Sequence, residues 1–208
     1  LRLITTSWWA LINVINSFKV FRIFQISNVV FLSIERYGSV IVNKGNVIGG
    51  GDWASGRLVP DVLRAFDARR PVVIRNPGAT RPWQHVLEPL SGYLVLAQQL
   101  YENGAAFAEA WNFGPNEDDA RSVQWIVERL VSLWGDGASW KGGEGIHPHE
   151  AQFLKLDISK AKAKLGWAPR WDLETSLSRI IDWHKAWQSH DNVRNVCLRQ
   201  ISEYQSII

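Results

Sequence analysis

The chain has one cysteine, Cys197, and no methionine among its 208 residues. A lone thiol excludes an internal disulfide framework and disfavours a cysteine-based zinc site. It is compatible with a reducing, cytoplasmic setting. The missing methionine reads as a fragment or a processed chain. No dense Lys/Arg tract is present; Arg69-Arg70 is a pair that suits a solvated helix end. A net charge of +3 and a pI near 9.1 therefore do not indicate nucleic acid. No uninterrupted apolar run reaches the roughly 18 residues of a membrane span, and no short apolar core precedes a small-residue cleavage site. There is no G-x-S-x-G nucleophile elbow and no repeat of about 20–50 residues. Residues 1–42 lack proline and hold one glycine, Gly38.

What is present is globular in character. Hydrophobic residues make up 46% and charged residues 21%, and the length suits one ordinary domain with a sizeable core. Residues 1–42 are rich in Ile, Val, Phe and Trp and read differently from the rest, with strands expected between Phe18 and Ile34. From Ser39 to Ile48 a strand is expected, interrupted at Asn43-Lys44-Gly45. A helix over 61–70 buries Leu58, Val62, Leu63 and Phe66, and a short strand follows over 71–75. A loop ends in Arg81-Pro82-Trp83. The next helix, 86–101, carries Leu90, Leu94, Ala97 and Tyr101 on one face, before a strand over 109–113. Ser122 caps a helix over 123–134. Ala138-Ser139-Trp140 and Phe153 to Leu156 are brief extended runs. Asp157 or Ser159 starts a helix closed by Gly166 in the left-handed region. Asp172 caps a last clear helix that buries Leu173, Leu177, Ile180, His184 and Trp187. The segment 191–208 is a polar tail. Short strands alternating with helices point to an α/β or α+β architecture.

Three motifs bear on chemistry. Gly49-Gly50-Gly51-Asp52-Trp53-Ala54 matches G-x-G-x-x-A after a strand. A dinucleotide site needs a helix opening on those glycines, and Gly56 and Pro60 follow too soon. A loop that admits another ligand is the stronger reading. His147-Pro148-His149-Glu150 could suggest metal, but structural zinc usually needs four ligands and no second cluster is present. The third motif is a set of polar residues at loop ends: Asn46, Arg57, Arg75, Arg81, Asn112 and His149. Each alone suits surface or turn chemistry. Together they suit a nucleotide diphosphate, with Arg for phosphate, Asn for hydroxyls and Trp for a base or sugar face. His85 and His184 read as structural. The twelve tryptophans read first as packing, with sugar stacking as the sharper alternative.

Several ordered blocks carry a resemblance to a known family: GNVIGGGDW (45–53), RLVPD (57–61), VVIRNPGATRPWQHVLEPLSGYLVLAQ (72–98), WNFGPN (111–116), HPHEA (147–151) and LDISKAKAKLGWAPRW (156–171). From Lys44 onward the chain resembles the C-terminal half of the CDP-glucose 4,6-dehydratase family of extended short-chain dehydrogenases/reductases. The resemblance implies an α/β fold: the C-terminal part of an extended Rossmann-type fold with a small α+β substrate-binding lobe over 43–190. It implies CDP-glucose as substrate, NAD as cofactor of the full-length family, and homodimers or higher. The implied reaction oxidises the sugar at C4, eliminates water across C5–C6 and returns the hydride to C6. The product, CDP-4-keto-6-deoxyglucose, would feed dideoxysugars of surface polysaccharide. By position, Asn46, Arg57, Leu58, Arg81, Asn112, His147 and His149 match substrate contacts. Arg57 and Arg81 would face the diphosphate, and Val72 to Ile74 would flank the base. The family's Tyr-x-x-x-Lys pair and its cofactor fingerprint are not found; Tyr37 is followed at position 41 by Ile. Residues 1–42 match nothing expected of the family and read as frameshifted or as a remnant of its Rossmann half. NAD is not expected to bind this chain well, and catalytic residues are not assigned.

Overall fold

The computed structural model describes residues 21–26, 29–34, 38–135, 137–143 and 153–207, and the apolar residues 21–26 and 29–34 are extended. Strands β1 (Phe21–Ile26), β2 (Val29–Ile34), β3 (Gly38–Lys44) and β4 (Asn46–Ile48) lead to helix α1 (Leu58–Asp67), β5 (Val72–Ile74) and β6 (Thr80–His85). Then come α2 (Leu87–Asn103), β7 (Ala110–Phe113), β8 (Ala120–Ser122), α3 (Val123–Trp134) and β9 (Trp140–Gly142). Helices α4 (Ser159–Leu165), α5 (Leu173–Gln188) and α6 (Val193–Ser206) follow. No helix among the described residues is long and apolar enough to cross a membrane. The chain divides into two units, each drawing on three segments of sequence.

The first unit takes residues 1–44, 89–113 and 157–168. Strands β1, β2 and β3 form an antiparallel meander, and β7 joins β3 in parallel, in the order β1-β2-β3-β7. Its core gathers Val42, Tyr93, Leu96, Leu100, Trp111, Phe113, Ile158, Ala161 and Trp167. Helix α2 is rotated from the sequence expectation. Leu90 and Tyr101 are exposed, while Tyr93, Leu96, Ala97 and Leu100 are buried. The tight packing of Gly92 explains this: a Cβ there would stand 2.3 Å from Phe113 Cδ1, so the glycine side must be the side that meets β7. Helix α4 ends on Gly166 at φ 61°, the left-handed cap read from the sequence.

The second unit takes residues 45–88, 114–156 and 169–208. Its sheet runs β4-β6-β8, parallel between β4 and β6 and antiparallel between β6 and β8; a separate parallel pair joins β5 and β9. The core joins α1, α3 and α5 through Val62, Leu63, Phe66, Ile126, Leu130, Leu177 and Ile180, among others. Arg81-Pro82-Trp83 lies inside β6 rather than in a loop. Proline has no N–H to give a ladder, and Pro82 falls where β6 changes partner, from β8 over 80–82 to β4 over 83–85. There it meets Gly45, where a Cβ would stand 2.3 Å from the Pro82 carbonyl oxygen.

The capping residues read from sequence act as caps. Ser122 Oγ accepts from Trp125 N at 3.2 Å, and Asp172 Oδ1 accepts from Thr175 N at 2.8 Å. Trp187 is corrected: it is 42% exposed rather than part of the buried face of α5. The polar segment after 190 forms α6, which is capped by Asn192 and buries Val196, Gln200 and Tyr204. Of the run 153–156, one bridge is formed, between Phe153 and Thr80.

Candidate functional site

The glycine loop has a packing purpose. A Cβ on Gly50 would stand 2.3 Å from Trp183 Cγ, and one on Gly49 would stand 2.9 Å from Val86 Cγ1. Gly51 adopts φ +76°, which disfavours a side chain independently. The loop thus lies flat against the α5 indole. Helical geometry begins only at Leu58, so no helix N-terminus faces the glycines. These residues do not fit a dinucleotide pyrophosphate, which needs both the open glycine backbone and that helix.

Of the sequence-predicted residues of the second unit, Arg81 lies on β6 and Asn46 on its neighbour β4. In the β4–β6 pair Asn46 stands beside Trp83, and in the β6–β8 pair Arg81 stands opposite Arg121. Strand side chains alternate, so Asn46, Arg81 and Arg121 share one face of this sheet with Trp83. Trp83 is buried and donates Nε1–H to the Arg121 carbonyl at 3.3 Å, which fixes β8 against β6. Arg81 Nη1 donates to the Thr80 carbonyl at 2.9 Å. Next to it, Leu154 N donates to the same Thr80 carbonyl at 3.2 Å, and Gly143 N donates to Ile74 at 2.8 Å. His147 and His149 fall between those two anchors and lie outside the described residues.

Arg57 precedes α1, is exposed, and pairs with Asp52 at 2.8 Å. Leu58 packs against the core margin. Val72 and Ile74 turn their side chains into the core, and the outward side chain of β5 is Val73 at 53% exposure. Asn112 belongs to β7 of the first unit, where its Nδ2 donates to the Asp157 carbonyl at 3.0 Å.

Arg121 was not among the residues singled out from the sequence. Its signal was weak, since Arg121-Ser122 reads as the approach to a helix cap. It pairs with Arg81 across the β6–β8 ladder, and its guanidinium lies 5.4 Å from the Trp125 ring centroid.

The buried titratable groups nearby are structural. His85 Nδ1 accepts from Leu87 N at 3.3 Å, which puts the ring proton on Nε2. Burial lowers its pKa to about 4, so the ring is neutral at pH 7. Glu88 accepts from the backbone N–H groups of Arg170 and Trp171 and from the Tyr204 hydroxyl, at 3.0, 2.8 and 2.7 Å. Burial pushes its carboxyl upward against those bonds. Asp119 is also raised, first by burial, while its bond from Leu173 N and the charge of Arg121 oppose that. His184 meets Asp67 at 2.9 Å under a cluster of Trp53, Trp134 and Trp187 rings. No group of three or more metal-ligating side chains occurs among the described residues.

No protein-family model matches the chain. A CDP-glucose 4,6-dehydratase of Salmonella typhimurium (strain LT2) is 57% identical over 169 residues, which is 81% of this chain and 47% of that relative. Over those residues the chain is similar to a CDP-glucose 4,6-dehydratase. It spans about half the length of that curated relative. Solved structures show the fold. The UDP-glucuronic acid 4-epimerase of Bacillus cereus, in complex with UDP-glucuronic acid and NAD, matches 70% of this chain and 45% of its own, with TM-score 0.60 and 20% identity. The dTDP-glucose 4,6-dehydratase of Bacillus anthracis, in complex with NAD, matches 72% and 45%, with TM-score 0.57 and 14% identity. The UDP-N-acetylglucosamine 4-epimerase of Methanobrevibacter ruminantium matches 71% and 46%, with TM-score 0.61 and 18% identity. The fold is therefore the Rossmann-type α/β arrangement of these neighbours, over less than half of each.

Proposed function

We propose that this chain carries the sugar-nucleotide-binding part of a CDP-glucose 4,6-dehydratase and binds CDP-glucose without converting it. The 57% identity over 169 residues carries this reading. The shared sheet face of Asn46 and Arg81 supports it, because an amide and a guanidinium suit a sugar hydroxyl and a phosphate. Arg57, Leu58, His147 and His149 complete the substrate contacts of the second unit in this proposal, and Asn112 is a separate proposed contact on the first unit. Val72 and Ile74 hold the strand whose outward Val73 flanks the base.

The 208 residues contain no Tyr-x-x-x-Lys, and the only G-x-G-x-x-A lies flat on Trp183. Hydride and proton transfer need a cofactor and a relay that this chain does not bring. NAD is accordingly not a ligand of the chain by itself, although the neighbours from Bacillus cereus and Bacillus anthracis hold it. A cytoplasmic setting, self-association and the lack of a nucleic-acid or membrane partner belong to the same proposal. Calorimetry tests the reading: CDP-glucose should bind, UDP-glucose should bind more weakly, and equal or absent binding of both would defeat it.

A second reading rests on Trp53 and Trp187. They are 47% and 42% exposed, with ring centroids 4.6 Å apart. Half-exposed indoles suit sugar stacking, so the chain would be a non-catalytic carbohydrate-binding module. Binding of a free glucan that is lost in Trp53→Ala, with no binding of CDP-glucose, would favour it.

A further inference from the structure

We propose that Asp52 is an internal stand-in for the ligand phosphate: its carboxylate holds the Arg57 guanidinium in the free chain, and a nucleoside diphosphate takes the guanidinium from it. The inference rests on the reading of Arg57 as a diphosphate contact and adds the residue that competes with the ligand for it.

The loop supplies the geometry. Gly51 and Gly56, both at φ +76°, stand on either side of residues 52–55. Asp52 uses both carboxylate oxygens within this loop. Its Oδ1 accepts from Ala54 N at 3.1 Å, and its Oδ2 accepts from Arg57 Nη1 at 2.8 Å. The first bond closes a turn and ties the carboxylate to the backbone. The turn is also held from helices α1 and α5. Arg64 Nη1 donates to the Trp53 carbonyl at 2.9 Å, and the Trp53 ring centroid lies 4.6 Å from that of Trp187. Asp52 therefore keeps its place when the Arg57 side chain moves.

The two partners are unequal. The Arg57 side chain is 54% exposed and that of Asp52 26%, so a ligand arriving from solvent meets the guanidinium first. An exposed pair is weakly held and screened by salt. A diphosphate brings more charge and more acceptor oxygens than the one carboxylate oxygen it replaces. Arg57 is also the residue before α1, at the helix end that carries partial positive charge, and its side chain makes no capping bond there. The neighbouring charges Asp61 and Arg64 pair with each other. Among the described residues Asp52 is thus the charge partner of Arg57. Once displaced, the carboxylate keeps the Ala54 N–H and its contact with solvent, so no buried charge is left behind.

The test is calorimetry of the full chain with CDP-glucose, CDP and cytidine, using wild type, Asp52→Asn, Asp52→Ser, Arg57→Gln and the double variant Asp52→Asn/Arg57→Gln. Both Asp52 variants keep an oxygen for Ala54 N and lose the charge. Each should bind CDP-glucose and CDP about twofold to fivefold tighter than wild type, the factor an exposed ion pair is worth, with cytidine unchanged. The gain should fade toward about 1 M salt. In the Arg57→Gln background, Asp52→Asn should give no gain. Unchanged or weaker CDP-glucose binding in both Asp52 variants, with loss in Arg57→Gln, would overturn the inference and leave the Arg57 reading standing. A gain that persists without Arg57 would overturn it as well, since it would report general repulsion of the ligand by Asp52. Wild-type affinity in Arg57→Gln would remove Arg57 from the site and the inference with it. Failure of wild type to bind CDP-glucose would defeat both the proposed function and the inference.

Discussion

Single residues decide most of what is unusual in this chain. Gly50 is the clearest case: any side chain would meet the Trp183 indole at 2.3–2.8 Å. Gly50→Ala should cost about 1–3 kcal/mol by overpacking, read as a fall in melting temperature, and Trp183→Leu in the same chain should recover part of it. His85 gives the acid behaviour. Its folded pKa, about 4, lies below the ordinary imidazole value of 6.5, so the folded state prefers the neutral ring. Its contribution is complete above about pH 6.5 and is lost as pH falls toward 4, on the order of 3 kcal/mol in all. Glu88 acts in the opposite sense, because a carboxyl raised by burial favours the fold at lower pH. Denaturant melts of wild type and His85→Phe between pH 7 and 4 should therefore diverge, with wild type losing more; parallel curves would remove His85 as the cause. In the site, Arg81→Ala should weaken CDP-glucose by about 2–5 kcal/mol if its charge is desolvated by the ligand. Unchanged affinity would take Arg81 out of the site.

At the scale of elements, the sequence was most legible where local chemistry acts alone. Ser122 and Asp172 announce their helices because a side-chain oxygen satisfies an N–H two or three residues on, wherever the helix later packs. Gly166 announces a stop for an equally local reason. Helix faces were less legible, because α2 is oriented by the Gly92–Phe113 contact across 21 residues. Strand β6 was illegible at Pro82, since its place at a change of partner exists only once β4 and β8 have been assembled. The same holds for the pairing of Arg121 with Arg81, which exists only in the assembled sheet. Helix α6 is held by remote contacts, among them the Tyr204 hydroxyl donating to buried Glu88 at 2.7 Å and Gln200 Nε2 donating to the Arg179 carbonyl at 2.9 Å. Tyr204→Phe should cost about 1–3 kcal/mol, and hydrogen exchange should rise first in 193–206. Uniform loss of protection over the whole chain would argue against a local clamp.

For the whole molecule, the family and the fold were carried by long ordered blocks, whereas the division of the chain into units was not marked by any local signal. Each unit takes three separated segments, so proximity in sequence does not report membership. The chain also covers 47% of its dehydratase relative, which sets what it should and should not do. Binding energy for a sugar nucleotide can reside in one part of a protein, because each phosphate or hydroxyl contact acts on its own atom. Turnover cannot, because oxidation at C4 and elimination across C5–C6 need hydride acceptor, proton relay and sugar within a few ångströms of one another. The chain supplied with CDP-glucose and NAD should therefore show saturable binding and no 4-keto sugar, followed by chromatography of the nucleotide sugars over hours. Appearance of the 4-keto product would show that a relay and a cofactor site exist in residues where neither motif is found. Absence of both binding and product would show that the sheet face of Asn46 and Arg81 does not hold the ligand in this chain by itself.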